Sequence, residues 1–224
     1  AKAAPKKAAS GKSTGKTAST GKAGSKTVSA KSTGARKVVA DTPRKALRNV
    51  VFDDDPGRLA LNSASALVLD QVSGKAIVEK QPDVVTPIAS ISKLMTAMVV
   101  LDARLDLNEV IEIGHEDVDS LKGTRSRLPV GTTMTRETAM LLALMSSENR
   151  AASALSRHYP GGQRAFVQAM NRKAQALGMY NTRFEEGTGL SSNNVSTAHD
   201  LARMVTAAAR YPEIRMYSTT AEAK

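Results

Sequence analysis

Only three large aliphatic side chains, Val28, Val38 and Val39, occur in the first 45 of the 224 residues. Whatever core this chain builds must come from the remainder. Ala, Lys, Ser, Gly and Thr make up nearly all of the leading stretch, a composition that cannot bury enough apolar surface to offset the entropy of ordering it. Charge divides at the same place. Residues 1–45 hold 12 of the 32 Lys and Arg and one acid, Asp41, whereas the rest of the chain carries 20 bases and 20 acids. The pI near 10.0 therefore describes a basic tail on a neutral domain. We expect residues 1–57 to form a disordered basic tail and linker, and residues 58–224 to fold. Steps such as Thr14-Gly15-Lys16 and Thr20-Gly21-Lys22 read as a self-repelling spacer. A tail of this charge would bind a polyanion by counterion release, whether nucleic acid, anionic lipid or acidic wall polymer.

The absence of cysteine rules out a disulfide frame, a thiolate metal site and a cysteine nucleophile. The three histidines, His115, His158 and His199, have no metal-ligand spacing, so neither a metal nor a cofactor is expected. No apolar run approaches the 18 or so residues of a membrane span. Ala rather than Met stands first, from which we expect that an export leader has been removed.

Within the foldable part, Ala64–Asp70 and Lys75–Lys80 flank Gln71-Val72-Ser73-Gly74 and read as a hairpin. Pro87 restricts the residue before it to extended geometry, so the next helix starts after Thr86 and runs to about Leu105. Ile91, Leu94, Met95 and Met98 form its buried stripe. Ser90 and Lys93 fall one turn apart on the same helix, a hydroxyl beside an amine. Ser-x-x-Lys alone says little, because Ser13–Lys16 and Ser19–Lys22 repeat it in the tail. A helix N-terminal hydroxyl and a snorkelling lysine would give the same pair.

Further on, Val110–Ile113 reads as a short strand and Leu121–Gly131 as a loop carrying Lys122, Arg125 and Arg127. Thr135 caps an apolar helix that stops at Ser146-Ser147-Glu148-Asn149. Arg150–His158 continues helically, Ala165–Leu177 forms a helix closed by Gly178, and Asn181–Asn194 is turn-rich. Thr197-Ala198-His199-Asp200 opens a last helix, to about Ala209. Ser147-x-Asn149 thus follows a second buried helix, although Ser191–Asn193 and Ser192–Asn194 repeat the pattern.

Order and flanking residues carry a resemblance. Pro-Ile-Ala-Ser-Ile-Ser-Lys-Leu-Met-Thr-Ala, then Leu-Met-Ser-Ser-Glu-Asn-Arg-Ala-Ala, then Thr-Gly-Leu-Ser and Ser-Thr-Ala-x-Asp-Leu resemble the penicillin-binding serine DD-peptidases. The nearest branch is the penicillin-binding protein 7 type of the peptidase S11 family, the periplasmic D-alanyl-D-alanine endopeptidases of Gram-negative bacteria. The resemblance covers about residues 60–224. It implies an α/β (α+β) fold of the DD-peptidase/β-lactamase type, an antiparallel sheet beside a mostly helical subdomain. It also implies peptidoglycan stem peptides as substrates, β-lactams as covalent inhibitors and a periplasmic location. Residue by residue, it makes Ser90 the acyl-enzyme nucleophile and Lys93 its base, with a pKa lowered by burial and a neighbouring cation. Ser147 would pass the proton to the leaving amine, and Asn149 would hold the peptide and position Lys93. The Ser90 N–H would form half of the oxyanion hole. The family's Lys-Thr-Gly motif does not occur after Ser90. We therefore expect a chain truncated before the strands that complete the sheet, with the 64–80 hairpin its only paired sheet. Two other readings are a β-lactamase of the same fold, which would need a deacylating base held against a water, although Glu185 and Glu186 before Thr-Gly-Leu lack the Glu-x-x-x-Asn pattern of the class A enzymes, and an inactive relative whose tail binds polyanions.

Overall fold

The computed structural model describes residues 61–222, and the tail and linker expected over 1–57 lie outside them. At its centre is helix α1, Ser92–Asp102, in which every residue from Met95 to Val100 is buried. A helix apolar on nearly all sides cannot sit at a surface, and α1 packs against each of the other five helices. These are α2 (Arg136–Met145), α3 (Asn149–Arg157), α4 (Gly162–Ala176), α5 (Ala198–Ala208) and α6 (Pro212–Ser218). Aromatic residues make up only 3% of the chain, and the unbranched, adaptable thioethers of Met95, Met98, Met140, Met170, Met179 and Met204 fill the core instead.

Local chemistry explains most helix ends. The Thr135 hydroxyl accepts the Thr138 N–H at the start of α2, and the Thr197 hydroxyl accepts the Asp200 N–H at the start of α5. Gly178, at φ +73°, follows the end of α4.

The strands form three two-stranded antiparallel sheets among the described residues. β1 (Ala66–Leu69) and β2 (Ala76–Lys80) make the expected hairpin, pairing Ala66 with Lys80 and Val68 with Val78. It is not the only paired sheet. β3 (Thr86–Pro87) pairs with β6 (Val195–Ser196), and β4 (Val110–Glu112) pairs with β5 (Thr133–Thr135). The β3–β6 pair joins the segment entering α1 to the end of the 181–194 turns, and the Ile88 N–H extends it to the Asn194 carbonyl at 3.0 Å. Two stretches a hundred residues apart in sequence are thereby held side by side.

The helix entry also departs from expectation. Ser90 lies in a single 3-10 turn, Ala89–Ile91, and α1 begins only at Ser92. Ala89 takes φ +48°, a left-handed conformation that costs a non-glycine residue about 1–2 kcal/mol. The chain thus turns sharply out of β3 and presents Ser90 at the surface, one turn above the buried start of α1.

Candidate active site

Three polar side chains, Ser92, Lys93 and Thr96, are buried on the otherwise apolar α1. Each is bonded to one loop, residues 185–194. The Thr96 hydroxyl donates to the Gly187 carbonyl at 2.7 Å, and the Ser92 hydroxyl accepts from Asn194 Nδ2 at 3.0 Å. Lys93 Nζ donates to the Thr188 carbonyl at 2.7 Å. Asn194 is itself fully buried and has no unused capacity: Oδ1 accepts the Glu185 and Glu186 N–H groups, and Nδ2 also donates to the Glu186 carbonyl. Polar groups at the centre of the fold are tolerable because the loop satisfies them.

Lys93 is the hub. Only 3% exposed, its Nζ contacts the Ser90 Oγ at 3.0 Å, the Asn149 Oδ1 at 2.8 Å and the Thr188 carbonyl at 2.7 Å. An ammonium uses three hydrogens on three acceptors. A neutral amine has two hydrogens and one lone pair, and two of these partners are carbonyl oxygens that can only accept. With both N–H groups held by Asn149 and Thr188, the lone pair of the neutral amine faces Ser90 Oγ. A neutral amine so held can accept a proton from that hydroxyl.

Burial lowers the Lys93 pKa to about 8, against the pull of Glu186 and Glu148, which raise it. The neighbouring cation expected to help is replaced by these two acids; no described cation contributes. Even so, roughly one lysine in ten is neutral at pH 7, compared with roughly three in ten thousand at an ordinary lysine pKa.

The Asn149 amide is oriented by a relay. Its Nδ2 donates to Thr124 Oγ1 at 3.1 Å, and that hydroxyl donates to Asp119 Oδ2 at 2.7 Å, so Oδ1 is left to face Lys93. Partial burial raises the Asp119 carboxyl, but the Lys122 and Thr124 N–H groups, the Thr124 hydroxyl and the Leu121 N–H outweigh it and hold the group well below the usual carboxylate range. One Nδ2 hydrogen of Asn149 remains for another acceptor.

Of the four residues singled out from sequence, the structure joins Ser90, Lys93 and Asn149 in one hydrogen-bonded cluster. Ser147 is next to it along the chain but has no bond to it. It is exposed on the connection between α2 and α3, at φ +58°. Glycine is the usual residue for a left-handed helix end, so a serine here points to a use for the hydroxyl.

The acidic pair considered as a deacylating base is otherwise occupied. Glu185 is exposed and bonds the Ser191 hydroxyl and the Asn193 amide. Glu186 accepts the backbone N–H groups of Thr188 at 2.5 Å, Gly189 at 2.7 Å and Ser191 at 3.3 Å. Sequence reasoning missed the Thr188 carbonyl, the loop-closing bonds of Glu186, the Asn194 clamp, Gly189 and the Asp119–Thr124 relay. The one signal available was Gly189 itself, at φ +85° against the Ala89–Ser90 peptide. The described residues contain no group of three or more His, Asp or Glu that could hold a metal ion.

The chain is similar to known proteins in both sequence and fold. The chain is 55% identical over 167 residues to a D-alanyl-D-alanine endopeptidase of Pseudomonas aeruginosa, covering 75% of this chain and 54% of that protein. It is 54% identical over 160 residues to the Escherichia coli D-alanyl-D-alanine endopeptidase, covering 71% and 52%. The chain thus spans about half the length of the curated relatives it matches. A Streptomyces DD-transpeptidase structure superposes with a TM-score of 0.66 at 26% identity, over 71% of this chain and 66% of that one. The mixed fold of helices with small antiparallel sheets is therefore that of the DD-transpeptidases. Residues 51–224 match peptidase S11, D-alanyl-D-alanine carboxypeptidase, and the chain belongs to that family.

Proposed function

We propose that this chain carries the nucleophile and base of a serine DD-peptidase that acts on D-alanyl bonds in peptidoglycan peptide cross-links. The observation that carries the reading is the set of three contacts made by Lys93 Nζ. Ser90 Oγ gives its proton to neutral Lys93 as it attacks the D-alanyl carbonyl. The Ser90 N–H donates to the oxygen that becomes negative. The proton then leaves Lys93 through the Ser147 hydroxyl to the departing amine, and the C–N bond breaks. Water next attacks the ester, Lys93 takes a proton from it as it did from Ser90, and that proton passes to Ser90 Oγ as the acyl C–O bond breaks and the acid is released. The free N–H of Asn149 Nδ2 holds a substrate carbonyl. A β-lactam, which offers a strained amide to the same serine, acylates it and blocks the site. Support for the endopeptidase reaction over the carboxypeptidase one comes from the two relatives above 50% identity. Cross-linked wall peptide lies outside the cytoplasmic membrane, so the protein would act in the periplasm. No described helix is long and apolar enough to cross a membrane.

The test is to incubate the protein with labelled penicillin, digest it and map the adduct, and in parallel to supply a cross-linked muropeptide dimer. The expected results are an ester on Ser90 and release of monomers. A dimer left intact together with no adduct, or with an adduct elsewhere, would overturn the proposal.

A pH dependence is expected from the Lys93 pKa of about 8. Only the neutral amine accepts the Ser90 proton, so the acylation rate at low penicillin concentration should rise about tenfold per pH unit below pH 8 and level off above it. Stopped-flow measurement across the neutral and mildly alkaline range reads this directly. A flat profile, or one falling as pH rises, would remove Lys93 from the role of base.

A further inference from the structure

The Glu186 carboxylate has no part in the acyl-transfer steps, yet both of its oxygens are engaged by backbone amides of its own loop. One oxygen accepts the Thr188 N–H and the other accepts those of Gly189 and Ser191. Three amides converging on one carboxylate close the 186–191 segment into a tight turn, and charge-assisted bonds of this kind are about twice as strong as neutral ones. What the turn presents is specific. The Thr188 carbonyl points at Lys93 Nζ, and Gly189 lies against the Ala89 carbonyl and the Ser90 amide.

We propose that Glu186 is a positioning residue for the acyl-transfer site: by gathering three backbone amides it holds the Thr188 carbonyl on Lys93 and Gly189 against the Ser90 peptide. This rests on the reading of Lys93 as the base. The segment is anchored from behind by Asn194, which takes the Glu186 N–H and carbonyl and ties them to Ser92 on α1. Glu186 thus stands between a fixed anchor and the two backbone groups that touch the reacting pair. Without the Thr188 carbonyl, Lys93 would have a single obligatory acceptor, and its lone pair would no longer be confined to the direction of Ser90.

The same carboxylate also acts through charge. The charged groups that act on Lys93 are Glu186 from this segment and Glu148 from the α2–α3 connection, and both favour its proton. Removing the Glu186 charge therefore moves the acid limb of the rate profile to lower pH, whereas loosening the turn lowers the plateau at high pH, where Lys93 is neutral in every variant. The two effects separate on one plot.

The experiment compares penicillin acylation of Glu186→Gln, Glu186→Asp and the unsubstituted protein across pH. In Glu186→Gln, one oxygen becomes an amide that cannot accept, and we expect an earlier limb and a plateau lowered about 10- to 100-fold, the scale of a misplacement near 1 Å. Glu186→Asp keeps the charge but lacks the reach; its limb should stay near that of the unsubstituted protein while its plateau falls. Plateaus within about twofold of the unsubstituted rate in both variants overturn the proposal. Amide hydrogen exchange in the unsubstituted protein keeps the proposal falsifiable even if neither variant folds. The Thr188 and Gly189 N–H groups should be strongly protected, and exchange at free-peptide rates overturns the proposal. Failure of the unsubstituted protein to acylate counts against the peptidase reading, whereas the exchange data bear on Glu186 alone.

Discussion

Penicillin labelling should vanish in Ser90→Ala and persist, slowed about 10²- to 10⁴-fold, in Lys93→Met, the range ordinarily lost with a general base. The two variants differ because they remove different things. Without Ser90 Oγ there is no atom to form the ester, and nothing bonded to Lys93 can replace it: its other partners are an amide oxygen and a backbone carbonyl. Without Lys93 the nucleophile remains, presented by the same 3-10 turn, but must lose its proton to water. Methionine fills nearly the volume of lysine and leaves Asn149 Oδ1 and the Thr188 carbonyl without a donor, at about 1–3 kcal/mol each. Relief from burying a charged amine offsets part of that cost, so a folded Lys93→Met protein is expected. Its residual acylation should also lose the rise toward pH 8. Fluorescent penicillin on a gel, with rates read at several pH values, checks both variants. Labelling of Ser90→Ala at the unsubstituted rate would sink the nucleophile assignment.

How far such a site is legible in sequence depends on which atoms do the work. Ser90, Lys93 and Asn149 are legible through the order and flanking residues of their motifs, and each enters the cluster through its side chain. The Thr188 carbonyl is not, because every residue carries one and only the fold decides where it points. In the sequence Glu186 is only an acid that lacks the pattern of a deacylating base; that its two oxygens face amides of its own loop is visible only in the fold. The same distinction governs the fold. Thr135, Gly178 and Thr197 mark helix ends through local chemistry, so the ends of α2, α4 and α5 can be placed from sequence. β3 and β6 are two residues long, too short for any periodic signal, and they pair only because the segments around them pack. The 3-10 entry escapes for a related reason. An apolar pattern continuous from Ile88 into α1 favours helix throughout, and only contact with Gly189 explains why Ala89 turns left-handed.

That contact supports the second large effect. In Gly189→Ala the added methyl would overlap the Ala89 carbonyl and stand 2.9 Å from the Ser90 amide nitrogen, a separation that Cβ atoms essentially never show. Both atoms belong to backbone, so the strain cannot be relieved by a side-chain rotation. Either the 186–191 turn backs away, which pulls the Thr188 carbonyl from Lys93, or the Ala89–Ser90 peptide shifts, which moves the oxyanion donor and the nucleophile together. Loss of one oxyanion donor alone costs about 10²- to 10³-fold in rate, and retreat of the turn about 10- to 100-fold, so acylation should fall by at least about tenfold by either route. Gly131→Ala separates the contact from the backbone effect. Gly131 has the same left-handed φ, +86° against +85°, but nothing within 4 Å of the added methyl. It should cost only the left-handed penalty of about 1–2 kcal/mol, partly offset by the stiffer unfolded chain, and should leave acylation unchanged. Gly189→Ala should be destabilised by about 2 kcal/mol more, a further drop of about 4–8 °C in Tm for a domain of this size. Calorimetry and penicillin labelling on the pair read both quantities. Equal Tm values with unimpaired labelling in Gly189→Ala would mean that the turn does not press on the Ser90 peptide, and the coupling of that loop to the nucleophile would fail.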